Sequence, residues 1–430
     1  MRLLLAALLV SLVGGADYLA RIAPIGTGYS AKILCSAVFV SGRTPESVVA
    51  EEFTVPSGGI LRLFSYSVDF ERRRVHTHFL GTHSAWAVWR PGLGCSLTRS
   101  VVDADRLGAE LGSLPGPKHS PWRLRDKTPA LESALDGAFS DPGTRAVVVV
   151  RGGEIIAERY AKGIAPRTAL LGWSMTKTVT NALVGIRLAE LGVGVESKRL
   201  LPEWSGRKRD ISVENLLQMR SGLRFRETYS ASPADVSRML FTRRDGSGYA
   251  AAMPLEHVLG EHYSYSSGSS NILMRLLRSS FPDDAAYKAF PRKVLFDPIG
   301  ADTAVLEADA FGTFVGSSYL YASARDWARL GRLYLNDGVW NGKRLLPKGW
   351  IERSIQPAGG GYGSHLWVDL PEDVGGPEDP EWADAFYFLG HEAQSVSVIP
   401  SRNLVVVRLG LNRSGTWNQA AFLRSVFGAL

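Results

Sequence analysis

The sequence predicts an α+β fold, in which one antiparallel sheet is built from strands near both termini, is flanked by helices and carries a mostly helical insertion. The stretch AVVVVRGGEIIAERY (146–160) contains two β-rich runs joined across Gly152 and Gly153, as in an antiparallel hairpin. Near the other end of the chain, SVSVIPSRNLVVVRLG (395–410) has the same form. The segment from about 174 to 350 is mostly helical and loop-like, which makes it the insertion.

Apolar residues with helical spacing predict the individual helices. These helical patterns cover 130–139, 212–219, 270–279, 323–336 and the final stretch NQAAFLRSVFGAL (418–430). The chain contains no internal repeat and no low-complexity tract. We therefore expect one main domain over residues 130–430.

The N-terminus has the pattern of an export signal. Arg2 precedes an apolar run from Leu3 to Val13, and two glycines and Ala16 follow. The run is short for a bilayer span, which needs about 20 residues, so a signal peptide over residues 1–16 is favoured. An uncleaved membrane anchor is the alternative, because Ala16 lacks a clean small-x-small cleavage pattern. In either case we expect an exported protein, either periplasmic or anchored to the inner membrane.

Two further segments precede the main domain. Residues 17–112 are interpreted as an N-terminal extension, and the stretch 113–129, rich in Pro, Gly and charge, as a linker. The extension holds the chain's two cysteines, Cys35 and Cys95. In an exported protein these can form a disulfide, and two buried thiols are the alternative.

Composition and charge argue against several classes of ligand. The chain of 430 residues has a formal net charge of +7, but its basic residues are scattered and its densest cluster, 71–74, is short, so no nucleic-acid partner is expected. Histidines 76, 78 and 83 have metal-like spacing, yet no nearby Asp, Glu or Cys completes a site, and an exposed strand face explains them. The glycine-rich stretch 358–365 lacks the lysine of a phosphate loop. We expect no cofactor and no metal, and the oligomeric state is open.

The stretch GWSMTKTVTN (172–181) carries the first candidate chemistry. Ser174 precedes a helical pattern that ends at Gly192, so Lys177 is expected on the same helix face, beside the serine hydroxyl. A buried helix start would lower the lysine pKa toward that of a usable base. The alternative is an N-cap serine with a solvated lysine. A second S-x-x-K string, at 205–208, lies in a charged, glycine-interrupted loop.

A Tyr-x-Ser group in GEHYSYSSGSS supplies a second element. Tyr265 and Ser267 stand just before a predicted helix, and a tyrosine hydroxyl near a lysine can shuttle a proton between nucleophile and leaving group. A turn with a core tyrosine is the structural alternative. A competing match ends at Ser323, which is interpreted as the N-cap of the helix that follows.

Five elements together resemble the serine β-lactamase and penicillin-binding protein superfamily, in particular its class C-like branch with family VIII carboxylesterases and 6-aminohexanoate-dimer hydrolases. They are SMTK (174–177), ISVENLLQMRSGL (211–223), YSS (265–267), DWARLGRLYLNDGVWNGKRLLP (326–347) and GHEAQSVSVIP (390–400). The resemblance covers about residues 120–430 and implies a β-lactamase/transpeptidase-like fold.

The resemblance also implies roles for single residues. Ser174 would be the acylated nucleophile, Lys177 its general base or proton relay, and Tyr265 the hydroxyl that passes the proton to the leaving group. Ser267 stands where many relatives have Asn, which leaves its contact to Lys177 or to substrate open.

The third motif of the superfamily, usually Lys-Thr-Gly or His-Thr-Gly on an edge strand, falls on His391, Glu392 and Ala393. The backbone N–H of Gln394 would then share an oxyanion hole with that of Ser174, within one residue of register. His391 as a core histidine is the alternative. The polar loop 371–384 is expected to rim the pocket, with Trp382, Phe386 and Tyr387 nearby.

Two classes of function follow. The first is an exported serine hydrolase that forms an acyl-enzyme with a small ester or amide, similar to 6-aminohexanoate-dimer hydrolases, with a β-lactamase or D-alanyl-D-alanine carboxypeptidase as the alternative. The second is a non-catalytic binding or sensor module on the same fold. The combination of Ser174, Lys177 and Tyr265 favours the hydrolase.

Overall fold

The computed structural model describes residues 2–54, 60–109, 121–125, 128–228, 233–376 and 382–430. The helices, in chain order, are α1 (Arg2–Phe39), α2 (Pro45–Glu51), α3 (Val101–Ala109), α4 (Pro129–Phe139), α5 (Thr176–Leu191), α6 (Val213–Leu217), α7 (Asp235–Thr242), α8 (Gly246–Ala251), α9 (Ser267–Ser279), α10 (Asp284–Pro291), α11 (Asp297–Ile299), α12 (Ala324–Leu335), α13 (Trp350–Ser354) and α14 (Gln419–Gly428). The strands are β1 (Ser65–Asp69), β2 (Arg74–Phe79), β3 (His83–Arg90), β4 (Gly94–Thr98), β5 (Thr144–Arg151), β6 (Glu154–Tyr160), β7 (Leu170–Leu171), β8 (Val305–Leu306), β9 (Leu320–Ala322), β10 (Val339–Trp340), β11 (Lys343–Arg344), β12 (Phe386–Gly390), β13 (Gln394–Ile399) and β14 (Leu404–Gly410).

The central sheet has five antiparallel strands in the order β12-β13-β14-β5-β6. The turn between β5 and β6 uses Gly152 and Gly153 at φ 58° and 85°, a conformation that glycine adopts without strain. Strands β13 and β14 are buried along their whole length, including the polar Ser395 and Ser397 of β13 and Arg408 of β14. The prediction of an antiparallel sheet built from both ends of the chain is confirmed.

Helices cover both faces of this sheet. Helix α12 packs on β13, β14 and β5, and it begins at the predicted N-cap Ser323, whose Oγ accepts a hydrogen bond from the Asp326 backbone N–H at 3.2 Å. Helices α4 and α14 pack against each other on the opposite face, where Leu135, Leu423 and Val426 are fully buried. The sheet therefore separates two apolar layers.

The insertion is mostly helical, as predicted, and it also contains short strands. Helix α5 runs through its centre and packs on α9, and it ends at Gly192 in the left-handed conformation with φ 66°. The strands β7, β9 and β8 form a small sheet next to the start of α5. In this way α5 and the turn before it place Lys177 and Ser174 between the central sheet and the helical region.

The N-terminal segment packs into the same body as the main domain. Helix α1 continues through Ala16 without a boundary, and Leu34 and Cys35 of its second half belong to the same buried cluster as Trp173. Its Tyr18–Phe39 stretch is long and apolar enough to cross a membrane, but two thirds of its apolar window is buried inside the protein.

A second sheet and a disulfide hold this helix in place. Strands β1-β2-β3-β4 form an antiparallel sheet against α1, and Cys35 is bonded to Cys95 on β4. The structure thus contains the disulfide that the sequence left open. Within the predicted linker, 113–120 and 126–127 lie outside the described residues, and Leu124 pairs with Ile155 of β6.

Candidate active site

Ser174 lies in a tight turn, Trp173–Met175, immediately before α5. Trp173 has φ 47°, a left-handed conformation that is costly for a bulky residue, and it is almost completely buried. Gly172 permits this packing, because a Cβ there would come within 2.2 Å of the Trp327 ring. Packing therefore holds the turn in a strained shape, which leaves Ser174 half-buried at the base of a cleft.

Lys177 is one turn further along and is buried beside this serine. Its side chain is 1% exposed, and Nζ lies 2.8 Å from Ser174 Oγ. It also donates to Ser267 Oγ at 3.0 Å and to the Ser317 carbonyl at 3.1 Å. Loss of hydration lowers the Lys177 pKa to about 8. A lysine with this pKa is partly neutral near neutral pH and can accept a proton.

The structure brings Tyr265 to the same point. Its hydroxyl shares a hydrogen bond with Ser174, and its ring centroid lies 4.7 Å from Lys177 Nζ. The ring is held between Tyr362 and Trp367, with centroid distances of 5.5 Å to each. Burial and the carboxylate of Glu227 raise the Tyr265 pKa, so the phenol is protonated at neutral pH. Ser174, Lys177 and Tyr265 therefore form one cluster.

Ser267 accepts a hydrogen bond from Lys177, which is the contact that the sequence left open. It also connects Lys177 to Glu227, a residue that the sequence analysis did not identify. The Oγ and the backbone N–H of Ser267 both donate to the Glu227 carboxylate, with 2.9 Å for the backbone bond. Glu227 lies in the segment FRET, between the second and third of the five quoted elements, and no periodicity marks it. The signal available was a lone acidic residue in an otherwise basic loop, which is not specific.

The third motif is not where the sequence placed it. His391, Glu392 and Ala393 form a tight turn between β12 and β13, with Glu392 and Ala393 at φ 63° and 62°. The edge strand beside Ser174 is β12 itself, and a Cβ on its last residue, Gly390, would come within 2.3 Å of the Gly172 carbonyl oxygen. Glycine thus allows the strand to approach the nucleophile turn.

The side chains of this turn have two different environments. His391 lines the cleft, edge-on to Trp173 at 5.6 Å, and loss of hydration lowers its pKa to about 4, so it is neutral at pH 7. Glu392 is 5% exposed and accepts a hydrogen bond from Trp173 Nε1 at 2.9 Å. Burial raises the Glu392 pKa to about 8, so it does not present a full negative charge to the cleft at pH 7.

Gln394 follows this turn directly, and the proposed role of its backbone N–H at the oxyanion hole stays a prediction. It pairs with Gly390 across the turn, and its side chain is bonded to the backbone of Gly410 on β14. It is the first residue of β13, and the backbone packed against the nucleophile turn is that of Gly390 at the end of β12.

The cleft has a volume of about 270 Å³. Its wall is formed by the catalytic candidates, by apolar and aromatic side chains and by a polar rim, comprising Ser174, Glu227, Tyr265, Trp367, Pro371, Asp373, Val374, Leu389, Gly390, His391, Glu392, Ala393, Arg413, Ser414, Gly415 and Trp417.

The loop 371–384, predicted to rim the pocket, does so in part. Pro371 and Val374 line the cleft, whereas Trp382 packs on Phe427 of α14, and residues 377–381 lie outside the described part.

The described residues contain no group of three or more His, Cys, Asp or Glu arranged for a metal ion. His76 and His78 stack on each other, and His76 also stacks on Trp86.

Comparisons with known proteins identify relatives of the chain. The chain is 28% identical over 250 residues to the 6-aminohexanoate-dimer hydrolase of Paenarthrobacter ureafaciens, which covers 55% of this chain and 62% of that relative. The chain thus spans less than two thirds of the length of this curated relative.

Solved structures share the fold at low sequence identity. A Bacillus anthracis protein assigned as a 6-aminohexanoate-dimer hydrolase has a TM-score of 0.59 and 21% identity, over 73% of this chain and 87% of its own. A penicillin-binding protein from Bacillus halodurans has a TM-score of 0.51 and 14% identity, over 70% and 99%. A family VIII carboxylesterase has a TM-score of 0.51 and 14% identity, over 71% and 99%. The Beta-lactamase family model matches residues 138–417, and the chain belongs to this family within the serine β-lactamase and penicillin-binding protein superfamily.

Proposed function

We propose that the protein is a serine hydrolase that cleaves a small ester or amide through an acyl-enzyme on Ser174. One observation carries the proposal: the buried Lys177 Nζ lies 2.8 Å from Ser174 Oγ, with a pKa lowered to about 8. A lysine that served only to bridge polar groups would gain nothing from a lowered pKa. A base needs a pKa near the working pH.

The reaction has two halves. Lys177 accepts the Ser174 proton as Oγ bonds to the substrate carbonyl carbon, and the carbonyl oxygen becomes an oxyanion. Tyr265 then gives its phenol proton to the leaving oxygen or nitrogen, whose bond to carbon breaks, and recovers a proton from Lys177. In the second half water gives a proton to Lys177 as it bonds to the acyl carbon, and the Ser174 Oγ–carbon bond breaks as Oγ takes that proton back, which releases the acid.

Backbone groups at two places are proposed to stabilise the oxyanion. The N–H of Ser174 lies at the start of α5, where the helix dipole favours negative charge. The second donor comes from the end of β12, at Gly390 and His391, because Gly390 brings this strand against the nucleophile turn. We propose this donor in preference to the Gln394 N–H, because Gly390 lies nearer to the nucleophile turn.

A neutral acyl substrate fits the cleft best. The wall is largely aromatic and apolar, and His391, which lines it, is neutral at pH 7. Esterase and 6-aminohexanoate-dimer hydrolase activities, named for relatives, belong to this class. β-Lactamase or D-alanyl-D-alanine carboxypeptidase activity needs a group that holds a carboxylate, and a non-catalytic module would need no base next to Ser174.

Intact mass after exposure to a fluorophosphonate tests the proposal. We expect one adduct on the wild-type chain and none on Ser174→Ala, with Ser205→Ala, in the second S-x-x-K string, as a control that still reacts. A wild-type chain that forms no adduct would contradict the acyl-enzyme.

We also propose that the protein is exported, and that it is either periplasmic or held at the inner membrane by its first residues. The Cys35–Cys95 disulfide supports an oxidising compartment. Titration of thiols in denaturant without reductant tests the bond, and two free thiols would contradict it. Cell fractionation separates the soluble form from the anchored form.

A further inference from the structure

We propose that Glu227 is a positioning residue which acts through Ser267 to orient Lys177 and to stabilise the positive charge that Lys177 acquires when Ser174 loses its proton. The proposal rests on the function proposed above. It gives a role to a residue that none of the five sequence elements contains.

The geometry is a chain of three groups. Both oxygens of the Glu227 carboxylate accept hydrogen bonds from Ser267, one from Oγ and one from the backbone N–H at 2.9 Å. Ser267 Oγ has a single proton, which it donates to Glu227, so it receives Lys177 Nζ as an acceptor at 3.0 Å. The direction of the chain is therefore fixed, with every proton pointing toward the carboxylate.

This direction of the hydrogen bonds favours the protonated, ammonium form of Lys177. An oxygen that donates its proton to a carboxylate becomes a stronger acceptor, which stabilises the protonated lysine more than the neutral one. The carboxylate also acts through space, since Glu227 opposes the effect of burial on the Lys177 pKa. Without Glu227, Lys177 would be a weaker base that is neutral over a wider range of pH.

Other groups near Lys177 do not replace this charge. Tyr265 is protonated at neutral pH, because its pKa is raised, and His365 is neutral, because burial lowers its pKa to about 3. Tyr362, on the far side of Tyr265, has a pKa raised by burial and by Glu227. Burial raises the pKa of Glu227, and the charge of Lys177 and the two hydrogen bonds from Ser267 oppose that rise. Glu227 is thus the acidic group that the described residues supply to balance the ammonium of Lys177.

The test is the rate of fluorophosphonate modification of Ser174 between pH 6 and 10, for the wild type, Glu227→Gln and Glu227→Asp. Glutamine keeps an acceptor but removes the charge. For this variant we expect the acidic limb, the pH range over which the modification rate rises, to shift to lower pH by about one unit, because a weaker base becomes neutral at lower pH. We expect the rate at high pH to fall several-fold, because a weaker base accepts the serine proton less readily. Aspartate keeps the charge, and its limb should stay near that of the wild type. Glu256→Gln, on an exposed glutamate elsewhere in the insertion, is the control with an unchanged profile.

A folded Glu227→Gln variant with an unmoved limb would overturn the proposal. If that variant does not fold, Ser267→Ala gives the same test, because it breaks the chain and keeps both charged groups; its limb should also move down, and an unmoved limb would overturn the proposal equally. If the wild-type chain does not react with the fluorophosphonate at all, the proposed hydrolase function is contradicted. If the wild-type chain reacts but the acidic limbs of the variants are unchanged, only the role of Glu227 is contradicted.

Discussion

Two buried lysines in this protein, Lys32 and Lys177, have the same kinds of partner but different roles, one in holding the fold together and one in exchanging a proton. Each is at most 2% exposed, and each contacts a serine hydroxyl and is linked to a glutamate. Lys32 of α1 contacts Glu307 directly, whereas Lys177 reaches Glu227 through the hydroxyl of Ser267.

The direct pair fixes structure. Glu307 accepts further hydrogen bonds from the Cys95 backbone N–H at 2.7 Å and from Ser36 Oγ at 2.8 Å, so it joins α1, β4 and the insertion. The indirect pair leaves Lys177 Nζ shared with Ser174. One intervening hydroxyl thus separates a lysine that holds two parts of the fold together from a lysine that can exchange a proton.

The largest effect is expected from Lys32→Met, which should lower the free energy of unfolding by about 3–5 kcal/mol, because Glu307 would remain buried without its cation. Activity per folded molecule should stay near that of the wild type. Urea unfolding measures the loss, and the exposed Lys198→Met is a control that should change stability by less than about 0.5 kcal/mol. Equal stability of Lys32→Met and wild type would break the comparison.

At the other lysine, the effect should fall on turnover. Ser174→Ala and Lys177→Ala should each lower kcat on an activated ester by at least about a hundredfold, or about 2.7 kcal/mol of barrier. The double variant should be little worse than either, because residues that act as a unit are not additive. Steady-state kinetics on folded variants measure this, and near-wild-type turnover in Lys177→Ala would refute the assignment.

The pH dependence should follow Lys177. With a pKa near 8, the neutral fraction of Lys177 rises about fiftyfold between pH 6 and 8, so kcat/KM on an ester should rise in parallel and level off above pH 8. The pKa of Lys177 is lower in the folded chain than in the unfolded chain, so the unfolded chain binds more protons between about pH 8 and 10.5. The free energy of unfolding therefore rises with pH through that window. A flat profile from pH 6 to 8 would show that another group is the base.

The smallest effect concerns substrate choice, because β12 carries no lysine or arginine and His391, in the turn after it, is neutral at pH 7. A short-chain p-nitrophenyl ester should have a higher kcat/KM than a chromogenic cephalosporin at pH 7, by about tenfold, since a charge-assisted hydrogen bond to the cephalosporin carboxylate is missing at neutral His391. The reverse preference would point to Arg413 on the cleft wall as the carboxylate partner.

The sequence by itself determined the features that depend on near neighbours. Runs such as 146–151 and 404–410 predict strands because β-branched residues favour them, and a spacing of three on one helix already brings Lys177 beside Ser174. The motif order then identified the superfamily and its fold, which the family match confirms. The Tyr-x-Ser pattern before a predicted helix singled out Tyr265 and Ser267, and the resemblance added their roles.

Only the tertiary structure decided the contacts between distant segments. Glu227 lies 40 residues before Ser267 in the chain, and the packing of its loop against α9 makes it a partner of Lys177. The third motif was assigned to His391, Glu392 and Ala393 on an edge strand, because the sequence does not say where that strand ends, but these residues form a turn after the edge strand β12. Local periodicity encodes which residues share a face, whereas strand register and loop packing depend on the free energy of the whole fold, which no single stretch of sequence contains.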